Sequence, residues 1–215
     1  MIEDKNSLSG LPTVRRLPMY LHLLKELDTQ GREFVSSTHI GEKLGLDSVQ
    51  VRKDLASTGI VGKPKIGFYV PALIGAIESY LGWDNSKDAF LIGVGSLGSA
   101  LLGYAGFQKR GLNIIAAFDN DPEKVGNLIR GVEVLSLDKL PDLAERMNIH
   151  LGILTVPMES AQEIADVMVL AGIRGIWNFT QTYLQVPESV FVQDEDLAAG
   201  LAVLSVRLAR ALKTG

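Results

Sequence analysis

The sequence predicts an α/β protein: a small helical unit, then a parallel sheet covered by helices on both faces. Three observations predict it. Residues 89–98, Ala-Phe-Leu-Ile-Gly-Val-Gly-Ser-Leu-Gly, run from an apolar stretch through closely spaced glycines into a helical pattern. From there to about residue 192, short apolar strands alternate with amphipathic helices, as βα units of a parallel sheet do. Ahead of them, residues 13–57 carry helical spacing broken by Gly-bearing turns.

The glycine stretch comes first because the rest is organised around it. Ala89 to Ile92 is a strand, Gly93-Val94-Gly95-Ser96-Leu97-Gly98 a tight turn, and Leu97, Ala100, Leu101, Tyr104 and Ala105 fall on one face of a following helix. In that context the glycines serve different ends. Gly93 permits the turn, Gly95 lets a pyrophosphate approach the backbone, and Gly98 lets helix and sheet pack closely. The N–H groups and dipole of the helix start face the phosphates. A second strand, Asn113 to Phe118, ends in Asp119, 21 residues beyond Gly98, where an acid accepts hydrogen bonds from an adenosine ribose. Asn120 and Asp121 follow, with no adjacent Arg for a 2′-phosphate, so NAD(H) is favoured over NADP(H).

Composition narrows the classes. The 215 residues are 47% apolar, enough for one large core or two small ones. Cysteine is absent, which removes disulfides, thiolate metal sites and a Cys nucleophile, and fits a reducing cytoplasm. The start, Met1-Ile2-Glu3-Asp4-Lys5, does not read as a signal peptide, and no apolar run reaches the length of a membrane span. Net charge is −4. Residues 1–84 carry ten Lys+Arg against ten Asp+Glu and the remainder eleven against fifteen, so any contact with DNA must come from local basic clusters.

Residues 1–11 read as loose. From Thr13, read as the cap, Val14, Leu17, Leu21, Leu24 and Leu27 keep helical spacing to Gly31, with Pro18 near the first turn. Ser36-Ser37 caps a short helix, Gly45 makes a turn, and Asp47 or Ser48 caps a third helix with Val51 and Leu55 inward: a helix-turn-helix over about 17–57. That third helix shows Ser48, Gln50, Arg52 and Lys53 near its start, where a recognition helix meets base edges; taken alone, the face reads equally as a solvated one. Residues 60–70 read as two short strands around a basic tip, a wing with Lys63 and Lys65 near a passing phosphate, and Arg15 and Arg16 add charge on the first helix. A helix over 71–82 and a linker over 82–88 complete the unit.

Beyond Asp119 the expected elements are strands at 132–135, 151–156, 175–179 and 190–192 and helices at 138–147 and 159–171. Ligands of such sheets sit at strand carboxyl ends, so Thr155-Val156-Pro157 and Asn178-Phe179-Thr180 are candidate cofactor walls, or ordinary strand exits. Residues 197–212 are unusual. Leu197, Leu201, Leu204, Leu208 and Ala211 recur at steps of 4, 3, 4 and 3, with Ala198, Ala202, Val203, Val206 and Ala209 between them. A helix apolar on nearly every side needs cover on nearly every side, which predicts a dimer built on it; the alternative is a last helix packed on its own sheet.

The order of winged helix, Gly93-x-Gly95-x-x-Gly98, Phe118-Asp119, Thr155-Val156-Pro157 and Asn178-Phe179-Thr180 resembles the redox-sensing transcriptional repressors called Rex, as does Val51-Arg52-Lys53-Asp54-Leu55 in the recognition helix. The resemblance covers nearly the whole chain. It implies a homodimer that binds a palindromic operator when NADH is scarce and releases it when NADH binds, NAD⁺ competing weakly, with the C-terminal helix exchanged between subunits. It places the cofactor on Gly93, Gly95, Ser96, Leu97, Gly98, Asp119, Thr155 and Asn178, and ties Tyr104 and Asp196 to sensing of the nicotinamide. His22 departs from the pattern: relatives commonly carry an Arg there, facing that Asp.

The competing reading is a small NAD-dependent oxidoreductase. His22, His39 and His150 are scattered, no Tyr has a Lys four positions on, and only one helix remains for a substrate domain. A third reading gives the nucleotide fold coenzyme A or a flavin. The sequence thus predicts a winged-helix DNA-binding domain over 1–84, a Rossmann NAD(H) domain over 85–194 and a domain-swapped helix over 195–215, in a cytoplasmic repressor that is not an enzyme and binds no metal.

Overall fold

The computed structural model describes residues 11–84 and 87–213. The start expected to be loose lies outside the described residues except for Leu11, as do two positions of the expected linker. The chain divides into two compact units, one ending at Asn85 and the other beginning at Ser86.

In the first unit, helix α1 (Leu11–Thr29) packs along α4 (Val70–Tyr80). Between them in sequence lie strand β1 (Phe34–Val35), helices α2 (Ser37–Leu44) and α3 (Ser48–Ala56), and strand β2 (Phe68–Tyr69). The caps follow from the residue types. Ser36 Oγ accepts from His39 N at 3.1 Å, and Asp47 Oδ1 from Val49 N at 2.6 Å, each satisfying a donor the helix leaves open. Gly45 ends α2 in the left-handed region at φ +66°, and Leu46 N returns to Gly41 O at 2.8 Å. Leu17, Tyr20 and Leu24 of α1, Ile40 of α2, Val51 and Leu55 of α3 and Leu73 and Ile77 of α4 fill the core.

Three expectations are corrected. The first helix begins at Leu11, so Thr13 is inside it, and Pro18 sits mid-helix, not in the first turn. The wing is not two strands: Lys63 pairs with Gly67 in a single bridge, and β2 pairs instead with β1, antiparallel, Phe34 against Tyr69. Arg16 is not turned out to the surface. Its Nε and Nη2 donate to Asp54 of α3 at 2.6 and 2.8 Å.

Asp54 is wholly buried, and it accepts further hydrogen bonds from Tyr20 Oη at 2.6 Å, Thr13 Oγ1 at 2.9 Å and Gln50 Nε2 at 2.9 Å. Burial by itself would raise its pKa, but the donors from Arg16, Tyr20, Thr13 and Gln50 outweigh it and hold the carboxyl well below the usual carboxylate range. The Tyr20 phenol is pushed up, chiefly by burial and then by the bond to Asp54.

In the second unit, strands β3 (Lys87–Ile92), β4 (Leu112–Asp119), β5 (Leu128–Ile129), β6 (Val132–Ser136), β7 (Leu151–Leu154), β8 (Gly175–Asn178) and β9 (Phe191–Asp194) form one sheet in the order β5-β6-β4-β3-β7-β8-β9. All neighbours are parallel except β5 with β6, a short hairpin that periodicity does not announce. Helices α5 (Ser96–Leu102), α6 (Leu140–Met147) and α7 (Ala161–Leu170) connect them; α5 stops at Gly103, so Tyr104 is beyond the helix and not on its face. Side chains alternate along the strands. Phe90, Ile92, Phe118 and Leu154 enter the core formed with α6 and α7, and Leu91, Ala117 and Ile153 face the other side. Order reverses between β3 and β7, the switch point where ligands of open α/β sheets sit. Helix α8 (Leu197–Lys213) has none of its residues buried; Leu201, Leu204 and Leu208 are 63%, 61% and 55% exposed.

Replacing Asp54 by Ala leaves Arg16 without its counter-ion and is expected to destabilise the first unit by about 3–5 kcal/mol in urea unfolding. Because the folded carboxyl titrates low, that difference is full above the unfolded value of about pH 3.9 and shrinks as pH falls through the lower folded value.

Candidate functional site: a cavity at the sheet's switch point and a basic helical face

A cavity of about 510 Å³ lies at the switch point. Gly93, Gly95 and Leu97 form its floor, Asp119 and Lys124 one wall, and Thr155, Val156, Pro157 and Phe179 the other. The sheet pairing runs on past the strand ends to shape it: Gly93 N donates to Phe118 O at 2.8 Å, Thr155 N to Ile92 O at 2.9 Å and Phe179 N to Leu154 O at 2.9 Å.

The three glycines differ. Gly93 lies at φ +97°, and a Cβ there would meet Val156 and Thr155 at 2.8–2.9 Å. A Cβ on Gly98 would collide with the carbonyl oxygen of Gly93, so helix and turn touch backbone to backbone. A Cβ on Gly95 would meet nothing within 4 Å. The protein's own packing therefore asks nothing of Gly95, and the free space lies over the cavity, with Gly95 at the cap of α5 and Ser96 its first residue.

Asp119 Oδ2 accepts from Val94 N at 2.7 Å and Oδ1 from Asp121 N at 2.9 Å, which ties the glycine turn to the end of β4. Lys124 Nζ stands 3.2 Å from the same carboxylate and 3.4 Å from Asp121. Burial would raise the Asp119 carboxyl; the backbone N–H groups of Asp121 and Val94, with Lys124, lower it further than burial raises it. No sequence motif marks a cation here. Lys124 is reached only because the turn at 121–125 folds back, Lys124 N and Val125 N both bonding to Asp121 O.

Two residues expected on the wall act on the protein more than on the cavity, and of the expected stretch 178–180 only Phe179 lines it, Asn178 bordering the neighbouring one instead. Thr155 Oγ1 donates to Gly93 O at 2.6 Å, holding the turn. Asn178, 1% exposed, has a full set of partners: its Nδ2 donates to Thr182 O and Asp194 Oδ1, and its Oδ1 accepts from Thr180 N and Oγ1. It ties the exit of β8 to β9 and keeps Thr180 buried. Asp194, Asp196 and Tyr183 border a smaller neighbouring cavity of about 310 Å³, where Asp196 Oδ1 accepts from Ala198 N at the start of α8. Tyr104 stands edge-on to Phe107, which continues to Trp177 and Phe179, ring centroids 4.9, 5.4 and 5.1 Å apart. This aromatic row ends on the cavity wall. Phe107 and Trp177 carry no sequence signal for it, because they lie 70 residues apart and meet only through the sheet.

In the first unit, Arg15, Gln50, Arg52, Lys53, Lys63 and Lys65 are exposed and Ser48 half-buried. Ser36, Thr38, Arg52, Lys63 and Lys65 border a groove of about 570 Å³ between the start of α2, the helix α3 and the tip of the wing. Lys65 adopts φ +62° at that tip, and the Lys63 ammonium lies 5.5 Å from the Phe34 ring centroid. His22 is on the exposed side of α1, its Nε2 3.2 Å from Glu26 Oε1.

A family model described as "Putative DNA-binding protein N-terminus" matches residues 10–56, and one described as "CoA binding domain" matches residues 84–182. A protein from Treponema denticola named "Redox-sensing transcriptional repressor Rex" is 50% identical over 204 residues, 95% of this chain and 97% of its own length. One of the same name from Bacteroides fragilis is 45% identical over 92% of this chain and 90% of its own. Among solved structures, RSP in complex with beta-NAD+ and operator DNA is 36% identical with a TM-score of 0.87, covering 95% of this chain and 94% of that one. RSP in complex with beta-NADH is 35% identical, TM-score 0.87, covering 95% and 96%. With such a likeness along nearly its whole length, the chain belongs to the Rex family of redox-sensing transcriptional repressors.

Proposed function

We propose that this protein is a cytoplasmic transcriptional repressor that reads the balance of NADH and NAD⁺. As a homodimer it binds a palindromic operator and releases it when NADH enters the cavity above Gly93–Gly98. One observation carries the reading: a single chain joins an exposed basic helix beside a wing to a nucleotide cavity whose central glycine is left open. Its relatives are named as repressors, not enzymes, and relatives' structures hold NADH, or NAD⁺ with operator DNA.

Residues 1–84 are assigned to DNA, 85–194 to the dinucleotide and 195–215 to the partner subunit. Within the turn 93–98, Gly93, Gly95 and Leu97 line the cavity and, with Ser96 at the start of α5, would receive the pyrophosphate, while Val94 and Gly98 hold the turn in shape; Asp119 would meet the adenosine ribose. Thr155, Val156, Pro157, Asn178, Phe179 and Thr180 form or support the far wall. Arg52 and Lys53 would enter the groove with Ser48 and Gln50, while Arg15, Lys63 and Lys65 meet phosphates. Tyr104 and Asp196 are assigned to sensing the nicotinamide, which is cationic when oxidised and neutral when reduced, and His22 to the coupling between units. The apolar sides of α8, open in one subunit, would be covered by a second.

Four outcomes test this. In fluorescence anisotropy on a palindromic operator, micromolar NADH is expected to release the protein where equal NAD⁺ does not; turnover of NADH with a carbonyl substrate and no release would favour the oxidoreductase. Arg52→Ala is expected to cost about 1–3 kcal/mol of operator affinity at one base pair; uniform weakening across sequences would make it a phosphate contact. Gly95→Ala is expected to keep its melting temperature and lose at least about tenfold in NADH affinity, whereas Gly98→Ala is expected to lose about 1–3 kcal/mol of stability. Leu204→Asp in α8 is expected to sediment as a monomer; an unchanged dimer would place the interface elsewhere.

A further inference from the structure

The buried carboxylate of Asp54 does more than neutralise Arg16. Of its four partners, Thr13, Arg16 and Tyr20 come from α1, beneath the helix α3. The fourth, Gln50, comes from α3 itself, one turn earlier, and is exposed. Its amide is thus anchored at one end to the core of the unit while the rest faces solvent, one turn before the exposed Lys53.

A carboxylate accepts hydrogen bonds and donates none. An ionised Asp54 therefore settles which end of the Gln50 amide turns inward: Nε2 donates at 2.9 Å, and Oε1 is left for an outside partner. The amide group carries a second N–H, so the edge that remains offers one acceptor and one donor, the pattern a glutamine uses on the N6 and N7 atoms of adenine. A free glutamine would have to lose its rotamer freedom on meeting the base; this one has lost it on folding. The donors from Arg16, Tyr20 and Thr13 hold the carboxylate ionised and immobile, which keeps the choice of amide orientation from lapsing.

We propose that Asp54 is a positioning residue for operator selectivity: through Gln50 it fixes the edge that reads one A·T pair in each half-site, with Arg16 and Tyr20 holding it in place. This rests on the assignment of α3 to the major groove.

The test uses the full-length protein and a palindromic duplex selected by it from a random library, with each half-site position then substituted in turn. The wild type is expected to prefer A·T at one position by about 5- to 150-fold. Gln50→Ala removes that preference and leaves the others, and Asp54→Asn, which keeps the shape but offers a donor as readily as an acceptor, removes the preference at the same position. The double variant loses no more than either single one. Unchanged selectivity in Gln50→Ala, or equal weakening of all sequences by a folded Asp54→Asn, overturns the proposal. Should Asp54→Asn fail to fold, the wild type decides by NMR: a Gln50 side-chain amide order parameter near 0.8 or above supports it, and one below about 0.6 overturns it. Failure of the wild type to select any duplex would remove the groove assignment itself.

Discussion

The nucleotide unit depends on a backbone contact. The end of β3 and the start of α5 approach so closely at Gly93 and Gly98 that no side chain fits between them, and Thr155 Oγ1 and the Asp119 carboxylate fasten the turn from either side. Each fastening comes from a strand adjacent to β3, so the turn is held only once β4 and β7 have paired on its two flanks. The cavity is then a consequence of topology. Chain order reverses between β3 and β7, the connections depart to opposite faces, and a gap is left over a turn that exposes backbone at Gly95.

The helical unit solves a different problem. The four helices α1 to α4 enclose a modest core, and α3 keeps a polar outer face, so its attachment to α1 is not apolar alone. A part-buried ion pair between Arg16 and the fully buried Asp54 supplies directional bonds instead. Such a pair contributes less to net stability than its length suggests, because both charges leave water, but losing one partner is costly. It therefore specifies the orientation of α3 more than it adds stability.

Much of this was legible in the sequence. Periodicity and capping residues located the helices, since Ser36, Gly45 and Asp47 act within a few residues of themselves. The glycines of 93–98 are readable from their spacing between a strand and a helix, although only Gly93 and Gly98 answer a steric demand of the fold and Gly95 answers none. What escaped depended on partners distant in the chain. Arg15 and Arg16 are neighbours in sequence, and only the position of Asp54, 38 residues on from Arg16, turns one outward and the other inward. Phe34–Val35 is a strand only because Phe68–Tyr69 lies against it, and the two are too short to show alternation. Nearer partners escape too where the path of a turn decides them: Lys124 reaches Asp119 through the turn at 121–125, and the amide of Asn178 is taken up by Thr182 in the loop after β8 and by Asp194 of β9.

If the dinucleotide and the operator favour different arrangements of one dimer, each must weaken the other by the same factor, because a coupling free energy has no direction. The most direct measurement is the NADH dissociation constant, by calorimetry, without and with saturating operator DNA. The account predicts that operator raises it by the factor by which NADH weakens operator binding, with NAD⁺ shifted far less or not at all. An NADH affinity indifferent to the operator would contradict it.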